Sequence, residues 1–448
     1  MSASDKRSGQ QAHAQIVQQF GGAVEGPLAA YVRTVGLKVA LPAVPGSTPA
    51  DWTITVLNSP VPNAMATPGG YLYITRGLMG MINSEAELAS VLGHEAGHVS
   101  GNHSAKRQGR AIVGILGTIL AGAALGDTGA QAANVASNAF VSGYSRSQEH
   151  DADMRGLRYS AAAGYDPRAA ASMLAALERV GTVEGKERLE RSGVQSIFAT
   201  HPVTAERVQR VAAEASRMPA GGATSREAYL SAIDGMAFGD AVSEGSISGT
   251  SFRHADLKLG FEAPAGFTLQ NAPTQVAGQA PDGANFRFQM VNIQPGQSLE
   301  PVVQSVWQQV AQRQFPSIQY RETRINQLDA ALSSAPIYSR QGRLDVGVNA
   351  YRFGDNKAAI FLTVAPAGTG QRFEPLLTSF RRLSPAEVAD AARGRKVDVI
   401  TVQSGDTAAS LSARMAPPYN RVESFLALNG LPLRPLVPGE RLKLIVAG

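Results

Sequence analysis

The stretch His94-Glu95-Ala96-Gly97-His98 constrains this chain more than any other. Residues four apart on a helix share a face, so both imidazoles can meet one ion while Glu95 projects beside them. Two ligands and a carboxylate base on one rigid element suit metal-assisted hydrolysis. Leu88, Val91 and Leu92 give the same segment an apolar side. Ser84, with Glu87 three residues later, marks its start as a capping box. The helix is predicted to run through His103. The chain has no cysteine, which excludes disulfides and thiolate chemistry and leaves His and carboxylates to hold any ion.

Catalytic zinc usually keeps three protein ligands, and two residues compete for the third place. His103, with Gly101, gives a near match to H-E-x-x-H-x-x-G-x-x-H, but the last position of that pattern is Ser104. His103 therefore reads as an exposed residue after the helix. Glu149 is the stronger candidate. In Ser145-Arg146-Ser147-Gln148-Glu149-His150-Asp151-Ala152-Asp153, Glu149 and Asp153 are again four apart and share a helix face. Glu149 would complete a His, His, Glu set, and Asp153 would accept a hydrogen bond from a ligand imidazole and fix its tautomer. His150 and Asp151 point to other faces and read as bystanders.

A chain of 448 residues exceeds what one core usually holds, and its texture changes twice. Residues 1–240 are mostly helical in pattern. One long N-terminal helix near Ala12–Val39 is interrupted at Gly21-Gly22 and Gly26-Pro27, and strands are predicted at Trp52–Leu57 and Tyr71–Thr75. Further helices are predicted over Ala105–Leu125, Ala130–Ala163, Pro167–Val180 and Ala205–Arg217. Residues 245–388 carry short alternating runs around one helix near Leu299–Phe315, the pattern of an antiparallel sheet in an α+β domain. Residues 396–448 form a small last block. The predicted class is multidomain α+β: a mainly helical domain with a small edge sheet, a sheet domain and a small last domain, the first of zincin type and the last a β-α-α-β module by the resemblances that the motifs carry. The apolar run Ala111–Gly126 spans 16 residues, short of the roughly 20 that a bilayer crossing needs, so no transmembrane span is predicted. A net charge of +5 without a Lys/Arg block leaves no nucleic-acid footprint. Met1–Gln10 lacks the apolar centre of a signal peptide, which fits either the cytoplasm or the mature form of an exported protein.

His94–His98, followed about fifty residues later by Glu149-His150-Asp151-Ala152-Asp153 and Gly156, resembles the gluzincin family of HtpX, the CAAX prenyl endopeptidase and the BepA-type periplasmic proteases. Asn63–Gly70 before the helix, and Thr200-His201-Pro202 with Arg207 after it, extend the resemblance over about residues 10–215. It implies a zinc-dependent endopeptidase with one Zn2+ per chain, held by His94, His98 and Glu149, and with Glu95 as general base toward a zinc-bound water. The histidine of the T-H-P motif lies near the metal in that family. His201 is then either a latent fourth ligand or, like Tyr144, a candidate oxyanion donor. Gly69-Gly70-Tyr71 looks like the edge strand of the cleft, to which an extended, unfolded substrate could add by main-chain pairing.

Ile400–Thr407, Leu428–Leu431 and Pro438–Leu442 resemble a LysM module, which implies peptidoglycan binding. The Leu259–Phe267 and Phe373–Leu383 segments more faintly resemble PsbP-type domains. A peptidase joined to such a module implies a periplasmic or envelope location, with unfolded or misassembled envelope proteins as substrates. The alternative is a zinc-stabilised chaperone or assembly factor with little routine proteolysis.

Overall fold

The computed structural model describes residues 1–103, 144–184, 197, 201, 204–272, 274–311, 318, 320–339, 342–417 and 419–448. Two compact units emerge, Met1–Gly239 together with Arg395–Gly448, and Asp240–Gly394. The expected helix Ala105–Leu125, the apolar run Ala111–Gly126, the first part of Ala130–Ala163, and Thr200 and Pro202 lie outside the described residues.

The first unit begins with helices α1 (Ala3–Gln19) and α2 (Pro27–Ala43). The single N-terminal helix read from the sequence is thus two, because Gly21, Gly22 and Gly26 take positive φ of 77°, 97° and 81°, a region open to glycine at little cost. A three-stranded sheet follows: β1 (Thr53–Leu57), β2 (Ala64–Thr67) and β3 (Tyr71–Thr75), in the order β1-β3-β2. Helix α3 (Arg76–Met81) leads into α4 (Glu85–Ser100). Every residue of α4 from Glu85 to Val99 is buried. Its start is fixed by the Ser84 hydroxyl, which accepts from Glu87 N–H at 3.2 Å, while the Glu87 carboxylate accepts from Asn83 N–H at 2.6 Å.

Helices α5 (Arg146–Ala162), α6 (Ala169–Glu184), α7 (Ala205–Arg217) and α8 (Arg226–Ile233) complete this part. Val35, Val39, Leu88, Leu92, Leu157, Leu174 and Val211 share one hydrophobic cluster, so α4 is packed between α2, α5, α6 and their neighbours. A helix buried on all sides is a stiff mount for side chains that must hold position.

The second unit is an antiparallel construction. Its seven-stranded sheet runs in the order β10 (Arg321–Ile325), β11 (Leu328–Ser339), β12 (Gly342–Arg352), β13 (Lys357–Pro366), β9 (Asn285–Asn292), β8 (Gln275–Gln279) and β7 (Thr268–Ala272), and a smaller one in the order β14 (Arg381–Arg382), β6 (Leu259–Glu262), β5 (Ser251–His254) and β4 (Ser246–Ser248). The long strands are β9 (Asn285–Asn292), β11 (Leu328–Ser339), β12 (Gly342–Arg352) and β13 (Lys357–Pro366). Helix α9 (Glu300–Ala311) covers one face through Trp307, whose indole N–H donates to Ser333 Oγ at 2.9 Å. The opposite core is aromatic, with Phe261, Phe286, Phe288, Phe361, Phe373 and Phe380 in mutual contact.

After Gly394 the chain rejoins the first unit. Strands β15 (Arg395–Thr401) and β16 (Arg441–Ala447) pair antiparallel around two short helices, Ala408–Ser412 and Val422–Asn429, in the order β-α-α-β. Val397, Phe425, Leu442 and Leu444 belong to the same cluster as Leu88 and Leu92. Lys443 is fully buried and donates from Nζ to Gly80 O and Ile82 O, both at 2.8 Å. Burial pushes its pKa down to about 7. The C-terminal segment therefore shares a core with the helices around α4.

Candidate metal centre

The i, i+4 spacing of α4 brings His94 Nε2 and His98 Nε2 to 3.0 Å. Helix α5 supplies the opposite wall, and its first turn is set by a reciprocal cap. The Ser145 hydroxyl accepts from Gln148 N–H at 3.3 Å, and Gln148 Oε1 accepts from Ser145 N–H at 3.0 Å. Glu149 then lies 3.6 Å (Oε2) from His94 Nε2 and 3.5 Å (Oε1) from His98 Nε2. His201, ahead of α7 in the chain, joins with Nδ1 at 3.3 Å from His94 Nε2 and 2.9 Å from Glu149 Oε1. The four residues are buried, and their ligand atoms lie within 4.8 Å of one another.

Helices α4 and α5 approach this closely because their contact is lined with glycine. A Cβ on Gly97 would meet Ala152 O at 2.9 Å, and one on Gly156 would meet His94 N at 2.9 Å and His94 Cα at 3.0 Å. Gly156→Ala gains roughly 1 kcal/mol of helix propensity but forces a backbone contact apart, at about 1–3 kcal/mol. The second effect is the larger. The variant is expected to melt lower than the parent in a thermal scan; an equal or higher melting temperature would show that the helices separate freely.

The donor set fits a tetrahedral ion. Four ligands at roughly 2.0–2.1 Å from one centre stand about 3.3 Å apart; the closest approaches above, to either Glu149 oxygen, run from 2.9 to 3.6 Å, and one donor atom from each residue falls within 4.8 Å of the others. The tautomers agree. His94 Nδ1 lies 2.9 Å from Asp153 Oδ1, so it carries the proton and Nε2 offers a lone pair inward. Burial pulls the His98 pKa well below its usual value, which keeps that imidazole neutral.

Arg207 ties the carboxylates together. Its Nε and Nη2 donate to Asp153 Oδ2 and Oδ1 at 2.9 and 2.7 Å, and its Nη1 lies 2.8 Å from Glu149 Oε2. Burial acts to raise both carboxyl pKa values. For Asp153 the hydrogen bonds from His94 and Arg207 outweigh it and bring the group to about 2. For Glu149 the nearby His201, His98 and His94 outweigh it and hold the group far below the carboxylate range.

Glu95 behaves differently. It is 1% exposed, its Oε2 has no hydrogen-bond partner among the described residues, and its Oε1 stands 3.5 Å from His201 Nε2. Burial pushes its pKa up, against the pull of His201 and His94. Tyr144 lies flat on His98, with ring centroids 3.6 Å apart at 15°, and its ring is 5.4 Å from that of His201.

Three sequence readings change here. His103, expected to be exposed, is buried with Nδ1 at 2.9 Å from His98 Nδ1. Asp151, expected to be a bystander, lies 3.2 Å from His103 Nε2. Gly69-Gly70-Tyr71 is not an edge. Gly69 and Gly70 form the β2–β3 turn at positive φ of 85° and 88°. Tyr71 opens the central strand, paired with Thr53 on one side and Thr67 on the other, so its main chain is already taken. The outer strands are β1, whose end bridges Ala23 through Leu57, and β2, which packs beside α4.

Residues 28–215 match the family described as Peptidase family M48. The chain is 30% identical over 213 residues to the mitochondrial metalloendopeptidase OMA1 of Schizosaccharomyces pombe, covering 46% of this chain and 60% of that protein. It is 29% identical over 188 residues to the putative beta-barrel assembly-enhancing protease of Vibrio cholerae, covering 40% of this chain and 37% of that protein. With the metalloprotease YcaL of Escherichia coli K12 the identity is 32% over 153 residues, covering 33% and 56%.

Proposed function

We propose that this chain, whose residues 28–215 match the model of Peptidase family M48, is a zinc-dependent endopeptidase acting on unfolded or misassembled proteins. The observation that carries this reading is the convergence of His94, His98, Glu149 and His201 at coordination spacing beside a buried, unpartnered carboxylate oxygen of Glu95. Zinc bound there supplies Lewis-acid polarisation of the scissile carbonyl and of the attacking water. The protein residues do the rest. His94, His98 and Glu149 hold the ion, with Asp153 fixing the His94 tautomer. Glu95 takes the water proton at Oε2 and passes it to the leaving amine. Burial favours its neutral form, which suits it to keep and then release the proton it takes. An extended substrate pairs with β2 rather than with Tyr71.

His201 is proposed to close the site at rest by taking the fourth position. The cavity beside Glu95, bordered by Val91, Met173, Leu174, Leu177 and His201, is about 20 Å3. That space beside Glu95 is about the size of one water, which supports a resting site narrowed by His201. His201→Ala is expected to raise cleavage of unfolded casein about tenfold for each 1.4 kcal/mol by which the closed state is favoured. A fall in rate would give His201 the oxyanion role instead.

An envelope location and envelope clients are supported by the similarity to the beta-barrel assembly-enhancing protease. Glycan contact by the C-terminal segment is proposed from Leu433 and Val437, which stand 82% and 57% exposed in the loop before β16. No helix among the described residues is long and apolar enough to cross a membrane. The peptidase reading is tested with casein, a strong chelator and added zinc. Cleavage should stop on chelation and return with stoichiometric zinc, and undiminished cleavage after complete metal removal would overturn the reading.

A further inference from the structure

We propose that His103 and Asp151 form a positioning relay that holds His98 in the tautomer able to bind metal; this rests on reading His94, His98 and Glu149 as ligands. The helix end is built to bring His103 back onto His98. Asn102 takes a left-handed φ of 51°, and His103 N–H donates to His98 O at 3.0 Å, the closing bond of a helix C-cap. Gly101 makes room for the ring. A Cβ there would lie 2.6 Å from His103 Nε2 and 2.8 Å from its Cε1. Gly101 itself has φ −80°, which any residue adopts, so its lack of a side chain serves the imidazole rather than the backbone.

The direction of the relay follows from chemistry. An ionised carboxylate only accepts, so His103 Nε2, at 3.2 Å from Asp151 Oδ2, carries the proton. Its Nδ1 then has a lone pair for His98 Nδ1 at 2.9 Å. The His98 proton is thereby fixed on Nδ1, and Nε2 faces His94 Nε2 and Glu149 as a donor to metal. Asp151 is anchored in turn by Arg155 Nε at 2.6 Å. Each ligand imidazole of α4 therefore ends on a carboxylate of α5, His94 directly on Asp153 and His98 through His103 on Asp151.

The test measures zinc affinity of the full chain by competition with graded chelators, with melting of the metal-free protein alongside. The variants are His103→Leu, His103→Asn and Gly101→Ala. Asparagine keeps an acceptor where Nδ1 stands, leucine removes it, and alanine at 101 displaces the ring while leaving the relay residues in place. Loss of such outer partners costs about 10–100-fold in metal affinity. That loss is expected for His103→Leu and Gly101→Ala, with His103→Asn recovering most of it and Gly101→Ala melting like the parent. Parental affinity in His103→Leu would overturn the relay. Equal losses in the leucine and asparagine variants, with lowered melting, would also overturn it by marking a packing role. A parent chain that holds no zinc would overturn the ligand reading, and the relay with it.

Discussion

Glu95→Gln is expected to reduce kcat/KM on unfolded casein by at least 100-fold while leaving the metal in place. Glutamine keeps the shape and the buried position of Glu95 but cannot accept and release a proton, and general acid–base groups contribute about 10²–10⁴-fold. Glu95 is not in the His94, His98, Glu149, His201 cluster, so zinc content should equal that of the parent. Stability should not fall, because the exchange replaces a carboxyl whose charged form burial disfavours with a neutral amide. Rate and metal content separate the possibilities. A 100-fold loss with parental zinc assigns Glu95 the proton transfer, and a rate within tenfold of the parent would remove it from that role.

The largest stability effect is expected at Arg207. This guanidinium is 5% exposed and faces two buried carboxylates, Asp153 through two hydrogen bonds and Glu149 through an ion pair. Removing one partner of a buried pair costs about 3–5 kcal/mol, because the charge left behind is neither solvated nor neutralised. Arg207→Met keeps much of the volume and loses the charge, and should lower the melting temperature of the metal-free protein by roughly 10 °C. Arg207→Lys should fall between the two, since an ammonium restores charge but not the two-pronged geometry. Scanning calorimetry decides this; a methionine variant that melts within a degree or two of the parent would mean that the carboxylates find another counter-charge.

What the sequence made legible was local periodicity. The spacings of His94 with His98 and of Glu149 with Asp153 each placed two side chains on one helix face, and β3 was readable from Tyr71–Thr75. Helix α7 likewise matches Ala205–Arg217. Long-range geometry was not legible. Sheet order decides which strand is an edge, and the four residues of β2, Ala-Met-Ala-Thr, carry no alternation to betray a strand.

His103 lies one position short of a familiar ligand spacing, and only the left-handed turn at Asn102 explains why its ring returns to His98. Arg207 was visible as part of a motif. Its bridging of Asp153 and Glu149 depends on α7 meeting α5 in space. The union of the C-terminal strands with the first core was equally hidden, since Lys443 is a polar letter until its ammonium is seen between Gly80 O and Ile82 O.

The most direct test of the central claim is a crystal structure of the chain loaded with stoichiometric zinc, recorded at the zinc absorption edge. A single anomalous peak about 2.0–2.2 Å from His94 Nε2, His98 Nε2 and a Glu149 carboxylate oxygen, with Glu95 beside it and unligated, is the predicted result. A peak elsewhere in the chain, or none at that cluster, would contradict the account.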